Sequence, residues 1–547
     1  MDHLAGRGSS NSMTDEFDYI IVGAGSAGAV IANRLSADPD IRVLLLEAGK
    51  ASRHPLMAMP LSFFSLMLRP GLNWGYMTEP EPFADNRRLP VLRGKVLGGS
   101  SSINGMMFTR GHPRDYDQWA QMGNQGWSFD DVLPYFRRME NSWRGSSDRH
   151  GAGGPISTQG QSTDNPLYQA LVEVARRNGY PVRQDFEADV PEGFGVPDFS
   201  IRKGRRSSTA RGYLDPVLRR PNLTVAVEAQ STRIMFEGKR AVGIEYLRRG
   251  EIVQARASRE VILSAGAYNS PQLLMLSGVG PADHLREMDI PVLADLPGVG
   301  QNLQEHPGLH TQFQPRIPMD FENAIRLDRV ARSVAWWAAT GKGIAGSIPL
   351  TAMAFYKSRE GLERPDLETM FIPTAFDARI WFPGIARARG HVFTTSTIIL
   401  RPDSRGWVKL RSNDPRDKPR IQWNLLAEES DLAAMRRGVR WIRGLMRQQP
   451  VSDLIGEEIR PGPSINSDAE IDDYIRANIH TAHHATSTCS MGTGENAVVD
   501  AKLKVHGVEG LRVADASIMP VIVGAHTNAP SIMIGEKAAA MILSDNG

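Results

Sequence analysis

"DYIIVGAGSAGAVIANRL", residues 18–35, decides how the chain begins. Its apolar run Tyr19–Val22 reads as a short buried strand, and Gly23, Gly25 and Gly28 follow at the spacing of a dinucleotide-binding turn. Without side chains at those positions the backbone can approach a pyrophosphate. Ala27, Val30, Ile31 and Leu35 recur at helical spacing, so the phosphates would meet the free amides of a helix N-terminus. A second strand, "RVLLLEAG" (42–49), ends at Glu47, where a carboxylate can accept from ribose hydroxyls. Strand, glycines, helix, strand and acid in this order predict a nucleotide site. The choice between NAD and FAD needs the rest of the chain.

At 547 residues, 41% hydrophobic and 23% charged, the chain has the composition of an ordinary globular protein with room for two cores or one large interleaved body. Its 63 basic and 61 acidic residues make no global field for nucleic acid or acidic lipid, so no nucleic-acid partner is expected. The one basic cluster, "RKGRRSSTARGY" (202–213), reads as a solvated loop. A single cysteine, Cys489, leaves no internal disulfide framework and fits the cytoplasm. No run of about 18 apolar residues exists to span a bilayer. The segment "PLMAMPLSFFSLML" (55–68) reads as a buried loop, with the apolar rim of a pocket or a shallow contact with the cytoplasmic face of a membrane as the alternatives. Residues 1–14 look like a disordered leader.

Local signals place several elements. In "NPLYQALVEVARRNGYPV", Asn165 caps a helix, Pro166 suits its first turn and Gly179 ends it. "NLTVAVEAQSTRIMFEGKRAVGIEYL" predicts β-strands that turn at Glu237 and Gly238. A strand "EVILSAG" precedes the helical "NSPQLLMLSG". Further on, "VARSVAWWAAT" reads as helix, "HVFTTSTIILRP" and "GWVKLRS" as strands, and "FIPTAFDARIWFPGIARARG" as a long aromatic-bearing loop of the kind that covers binding sites.

Four blocks then converge: the glycine turn; "RGKVLGGSSSINGM" (93–106); "GAYNSPQLLMLSGVGP" (266–281) followed by "LPGVGQNLQEHP"; and the pair "HHATSTCSMG" and "LRVADASIMPVIVGAHTNAPSIMIGEKAA". In that order they resemble the glucose–methanol–choline oxidoreductases, a flavoprotein family, from Asp18 to about Leu543. The resemblance answers the cofactor question with FAD. It implies an α/β fold in which a Rossmann-like FAD-binding domain (15–160, 210–310 and 488–547) is interleaved with an α+β substrate-binding domain (161–209 and 311–487) built on an antiparallel sheet. The cofactor residues it implies are Gly23, Gly25, Ser26, Ala27, Gly28, Glu47, Ala48, Trp74, Val96, Gly99, Ser100, Asn104, Gly105, Met106, Ser231, Asp515, Ala516, Thr527 and Asn528. Glu47 would bind the adenosine ribose, Asn104 would lie by the ribityl chain and ring edge, and Asp515 would hold the central portion. Ser231 stands where the family usually has valine, at what looks like a backbone contact to adenine. Some members attach flavin through a histidine where this chain has Ile103, so non-covalent FAD is expected.

Oxidising an alcohol means removing its hydroxyl proton and delivering a hydride to flavin N5, and a histidine can take that proton near neutral pH. The resemblance assigns the pair to His484, four residues before Thr488, and to His526 in "GAHTNAP". Ser487 replaces a usual glycine beside the first, and His526 stands where choline-type members usually show asparagine. His483 is expected to point away, His306 to be structural and Cys489 to be a packed thiol. "LGGSSS" lacks the G-x-S-x-G elbow of a serine hydrolase. No carboxylate sits at a convincing spacing for a metal with His480, His483 and His484, so no metal is expected.

The expected activity is FAD-dependent oxidation of a primary alcohol with an apolar body, electrons passing to a quinone, an artificial dye or another acceptor. An oxygen-using alcohol oxidase is the runner-up and choline a further substrate. A redox-neutral lyase or decarboxylase, and a flavin binder without catalysis, are the readings of other classes.

Overall fold

The apolar run near the N-terminus becomes Glu16–Val22, an inner strand of a seven-stranded sheet. The computed structural model describes residues 16–51, 54–188 and 190–545, and the leader expected at 1–14 lies outside them. Glu16–Val22 pairs in parallel with Val43–Glu47 on one side and Glu251–Leu263 on the other, and Leu223–Val227 extends the parallel set. The first half of Glu251–Leu263 joins the antiparallel strands Arg240–Arg248 and Ala229–Glu237. Its last residues pair with Leu511–Val513. Parallel strands buried on both faces read as continuous apolar runs, which is why "YIIV" and "VLLLE" carry no polar alternation.

Helices Gly28–Leu35 and Asn528–Asp545 cross closely on this sheet: a β-carbon on Gly535 would lie 2.7 Å from the Ala27 carbonyl oxygen. Glu536, fully buried, locks the crossing. Arg34 Nη2 donates to it at 2.6 Å, the Tyr213 hydroxyl at 2.7 Å, and Arg138 Nε lies at 3.3 Å.

The second, eight-stranded sheet is largely antiparallel: Ile455–Arg460, Pro307–Pro315, Phe393–Ile399, Leu367–Ile372, Ala352–Tyr356, Gly193–Gly195 and Val182–Arg183 in spatial order, with His480–Thr481 also on Pro307–Pro315. Pro307–Pro315 runs across the boundary expected after residue 310. Alternation assigns its faces. Thr311 hydrogen-bonds Thr395 and Thr369 bonds Thr397, and this face carries helix Glu429–Met446, whose Gly438 and Trp441 meet Thr397 and Tyr356. Gly308, His310 and Glu368 therefore point the other way.

The local elements follow their signals. Asn165 accepts from the Tyr168 amide and caps Pro166–Arg177; Gly266–Leu276 and Leu327–Thr340 are helices. The basic cluster departs from its reading. Arg206 is buried and donates to the carbonyls of Met57, Ser101 and Asn104 and to Asn104 Oδ1. Several backbone oxygens converge where only a long cation can satisfy them, so the segment is a strut as well as a loop. The segment 55–68 mostly turns inward: Met57 and Leu66 pack on Val96 and Ile103, and Met59 packs on Trp337.

Removing one member of a buried charged network strands the others. Glu536→Ala is expected to cost about 3–5 kcal/mol in chemical denaturation followed by tryptophan fluorescence; a loss under about 1 kcal/mol would show that this network does not hold the helix crossing.

Candidate active site

The carboxyl ends of the parallel strands open into a cleft walled by Gly23, Gly25, Ser26, Ala27, Glu47, Ala48, Trp74, Gly99, Ser100, Ser231, Asp515 and Ala516, all expected from sequence. Two glycine turns abut beneath it, since a β-carbon on Gly99 would lie 2.8 Å from Gly25 Cα. Gly28 stands behind the first turn rather than on the wall; a β-carbon there would lie 1.9 Å from the Gly23 carbonyl oxygen. Glu47 Oε1 accepts from the Gly49 amide at 2.8 Å and Oε2 from Ala24 at 3.1 Å, and burial pushes its pKa up to about 7. Each oxygen keeps a lone pair for a ribose hydroxyl. Asp515 accepts from the Gly266 amide, the Ser270 hydroxyl and the Ser517 amide, which tethers the ends of two strands. The Ser231 hydroxyl is buried with no partner. An acid ready for a ribose, an orphan hydroxyl and a cradle that side chains would fill are what a dinucleotide requires, and the cleft fits FAD.

The other expected cofactor residues stand off this wall. Val96 is buried beside Lys50, and Gly105 faces the ring of Phe63. Asn104 Oδ1 accepts from the Met106 amide at 3.1 Å and from Arg206 at 2.9 Å. Asn528 Oδ1 accepts from the Ser26 hydroxyl at 2.9 Å, and the Thr527 carbonyl accepts from the Ser531 hydroxyl at 2.7 Å in the first turn of the C-terminal helix.

His484 and His526 meet edge to face, ring centroids 4.8 Å apart. His526 comes from the loop before the C-terminal helix; its amide donates to Thr109 Oγ1, and its Nε2 lies 3.1 Å from Glu368 Oε1 on the inner face of the second sheet. His484 Nδ1 lies 2.9 Å from His306 Nδ1, while His306 Nε2 lies 3.1 Å from the Leu400 carbonyl oxygen. A carbonyl can only accept, so His306 carries its proton on Nε2. Its Nδ1 is then an acceptor, His484 must donate from Nδ1, and His484 Nε2 is left with a bare lone pair. Glu305 Oε1 accepts from the amides of both His306 and His484, at 3.0 and 2.6 Å, which ties the two histidines' backbones together. Burial, with His526, His306, His483 and Arg93 nearby, holds the His484 pKa well below the histidine range, and burial lowers His306 to about 3. The Glu305 carboxyl is raised by burial to about 7. Cys489 is buried with its pKa raised, as a packed thiol should be.

A line of aromatic and neutral imidazole rings runs inward from exposed Phe64. Phe64 lies 6.2 Å from Phe376, Phe376 stacks at 4.1 Å on His310, and His310 lies 3.9 Å from His480. Burial lowers His480 to about 4 and His483 to about 3, and His310 well below its ordinary range. His483 Nδ1 lies 3.3 Å from Thr481 Oγ1. Arg87 and Arg93 add to these shifts while spending their N–H groups on backbone carbonyls, Arg93 on that of His483 and Arg87 on those of Arg476 and Ile479. Of the loop aromatics, Phe371 stacks in the core on Phe194, and Trp381 and Phe382 lie toward the surface.

Sequence reasoning did not assign Glu368, His306 or Arg206 a part in the site. "QEHP" signals His306 through its family turn. Nothing in "LETMFI" marks its glutamate, because only strand register carries it to His526.

The chain is similar to known proteins over most of its length. Sequence profiles described as GMC oxidoreductase match residues 17–308 and 402–535. The mitochondrial choline dehydrogenase of Mus musculus is 44% identical over 541 residues, 96% of this chain and 89% of that protein. The oxygen-dependent choline dehydrogenase of Brucella anthropi is 44% identical, covering 96% of each chain. Among solved structures, pyridoxine 4-oxidase from Mesorbium loti superposes with a TM-score of 0.87 at 30% identity, over 96% of this chain and 99% of that one. A formate oxidase variant from Aspergillus oryzae RIB40 gives 0.90 at 30% identity, over 97% and 99%.

Hydrogen bonds to a charged group contribute about 1.5–3 kcal/mol. Glu47→Gln is therefore expected to weaken FAD binding at least about tenfold in a titration of apoprotein followed by flavin fluorescence. Unchanged affinity would remove Glu47 from the ribose site.

Proposed function

The chain belongs to the GMC oxidoreductase family, FAD enzymes acting on CH–OH donors, and from that premise we propose that it oxidises an uncharged primary alcohol with an apolar body, using His484 as the base and His526 to hold the hydroxyl. The observation that carries this reading is the proton order along Leu400–His306–His484, which leaves a bare lone pair on His484 Nε2. Bound FAD supplies the hydride acceptor. Ile103, an aliphatic side chain packed on Met57 and Val96, offers no atom for a covalent link, which supports non-covalent FAD.

His306 acts through His484. It holds the imidazole with Nδ1–H inward and Nε2 toward the substrate side, so the base needs no tautomer change before it accepts the hydroxyl proton. Glu368 fixes His526 in the same way and places a carboxylate near the imidazolium that forms. Orientation by the pair aims the carbinol C–H, and such positioning supplies much of a catalysed rate. Arg87 and Arg93 beside His480 and His483 support an uncharged substrate body, and the apolar rings of Phe64 and Phe376 an apolar one. The second reading, choline, draws its support from the 44% identity to choline dehydrogenases. Anaerobic mixing with uncharged primary alcohols and with choline separates the two: the flavin bands should bleach with the former, and bleaching by choline alone would select the second reading. Slow return of colour on admitting air would favour a quinone or dye acceptor over oxygen.

His484→Ala is expected to slow flavin reduction by on the order of a hundredfold or more; an unchanged rate would end its assignment as base. His306→Leu should slow it by roughly ten- to a hundredfold, the usual effect of releasing a ligand's orienting partner, while His306→Asn, which keeps an acceptor near the Nδ1 position, should recover most of the loss. Equal loss in both would reduce His306 to a packing residue. Because the His484 pKa is held well below the ordinary histidine value near 6.5, its base form persists as the pH falls through that value. Stopped-flow reduction rates should show no inflection there, and a clear one would contradict the buried, neutral base.

A further inference from the structure

Fourteen large apolar side chains are exposed among the described residues, and six of them, Phe64, Leu68, Leu327, Trp336, Ile380 and Ile385, belong to three segments that pack on one another. The segments are 55–68, helix Leu327–Thr340 and the loop 373–390. Leu327 donates its amide to the Trp381 carbonyl at 2.9 Å, Trp337 packs on Met59, and Phe64 meets Phe376. The exposure is substantial: 57% for Trp336 and 78% for Ile385. The other exposed apolar side chains, such as Trp143 and Ile252, lie on separate elements.

Charge on these segments is one-sided. Arg329, Arg332 and Trp336 fall at i, i+3 and i+7, so they share an exposed stripe of the helix that flanks buried Trp337. Arg379 and Arg387 are exposed on the loop. The nearby acids whose side chains are described are already engaged: Asp328 pairs with Arg326, Asp377 with Arg389, and buried Glu322 accepts from the amides of Arg389 and Gly390. Arg329, Arg332, Arg379 and Arg387 have no carboxylate partner among the described residues. The whole chain carries a net charge of only +2, so this excess is local.

Exposed tryptophan and isoleucine flanked by unpaired arginines match the layering of an anionic bilayer, apolar tips entering the acyl boundary and guanidinium groups meeting phosphates. No helix among the described residues is long and apolar enough to cross a membrane, so the contact would be peripheral. We propose that the face formed by helix 327–340 and loop 373–390 docks on an anionic lipid surface. Phe64 and Phe376 begin the line of rings that leads to His310 and His480, so docking turns the site's mouth toward the phase in which an apolar alcohol and a quinone dissolve; that consequence rests on the function proposed above, whereas the docking itself does not.

Flotation of the FAD-loaded enzyme with phosphatidylcholine vesicles, with and without phosphatidylglycerol, tests the proposal. The enzyme should float only with the anionic vesicles and be released by salt. Arg329→Glu with Arg332→Glu, and separately Trp336→Ser with Ile385→Ser, should each lower the bound fraction about tenfold or more, as expected from the contribution of each basic or apolar group at a membrane surface. Trp143→Ser should leave it unchanged. Reduction of the flavin by a soluble alcohol should be unaffected in all three. Absence of the unaltered enzyme from anionic vesicles, or equal loss in Trp143→Ser, would overturn the proposal. So would sedimentation showing a dimer that the paired variants dissolve, which would make the face a contact between copies. An enzyme that floats but oxidises no alcohol would count against the proposed function and leave the docking standing.

Discussion

Parallel pairing between Glu16–Val22 and Glu251–Leu263 is the constraint on which the architecture depends. Parallel neighbours cannot be joined by a tight turn, so the chain must leave the sheet and return through long crossings. Every departure is from the carboxyl ends of the strands, where the glycine turns, Glu47 and Asp515 gather. The second sheet is assembled from those excursions and therefore stands over the same edge. The nucleotide cleft and the histidines are brought together by this single topological fact, although His484 and Gly23 are far apart in sequence.

The second sheet contributes through its pleat. One face is committed to helix Glu429–Met446 by a threonine ladder and the close approach of Gly438 to Thr397. The opposite face is free to project Gly308, His310 and Glu368 toward the first sheet. Gly308 is needed there because a β-carbon would lie 2.6 Å from the His480 ring. Five histidines, at 306, 310, 480, 483 and 484, are kept neutral chiefly by burial, to which Arg87 adds at His480 and Arg93 at His483 and His484. Such a wall offers unprotonated nitrogen, which suits the removal of a proton from an alcohol.

Arg206 shows how local and tertiary evidence diverge. In sequence it belongs to a short basic run beside serines, a pattern usually solvated. In the fold it lies beneath the second glycine-rich block and satisfies the carbonyls of Met57, Ser101 and Asn104. The segment 55–68 and the long loop 373–390 behave similarly. Their apolar residues divide between packing on Val96, Ile103 and Trp337 and standing exposed beside arginines, a division that hydropathy alone cannot make.

By itself the sequence determined whatever is encoded in short stretches: the buried strands "YIIV" and "VLLLE", the glycine turn, the capped helix after Asn165, the hairpin at Gly238, and the motif positions of Glu47, Asp515, His484 and His526. These depend on periodicity, backbone freedom and local hydrogen bonding, which neighbouring residues specify. Tertiary structure alone decided that His306 orders the proton on His484, that Glu368 meets His526, and which of the residues expected at the cofactor line the cleft. The physical reason is that these are contacts between residues tens to hundreds of positions apart. Strand register and crossing geometry create them, and a hydrogen bond at 2.9 Å leaves no trace in the composition of either segment.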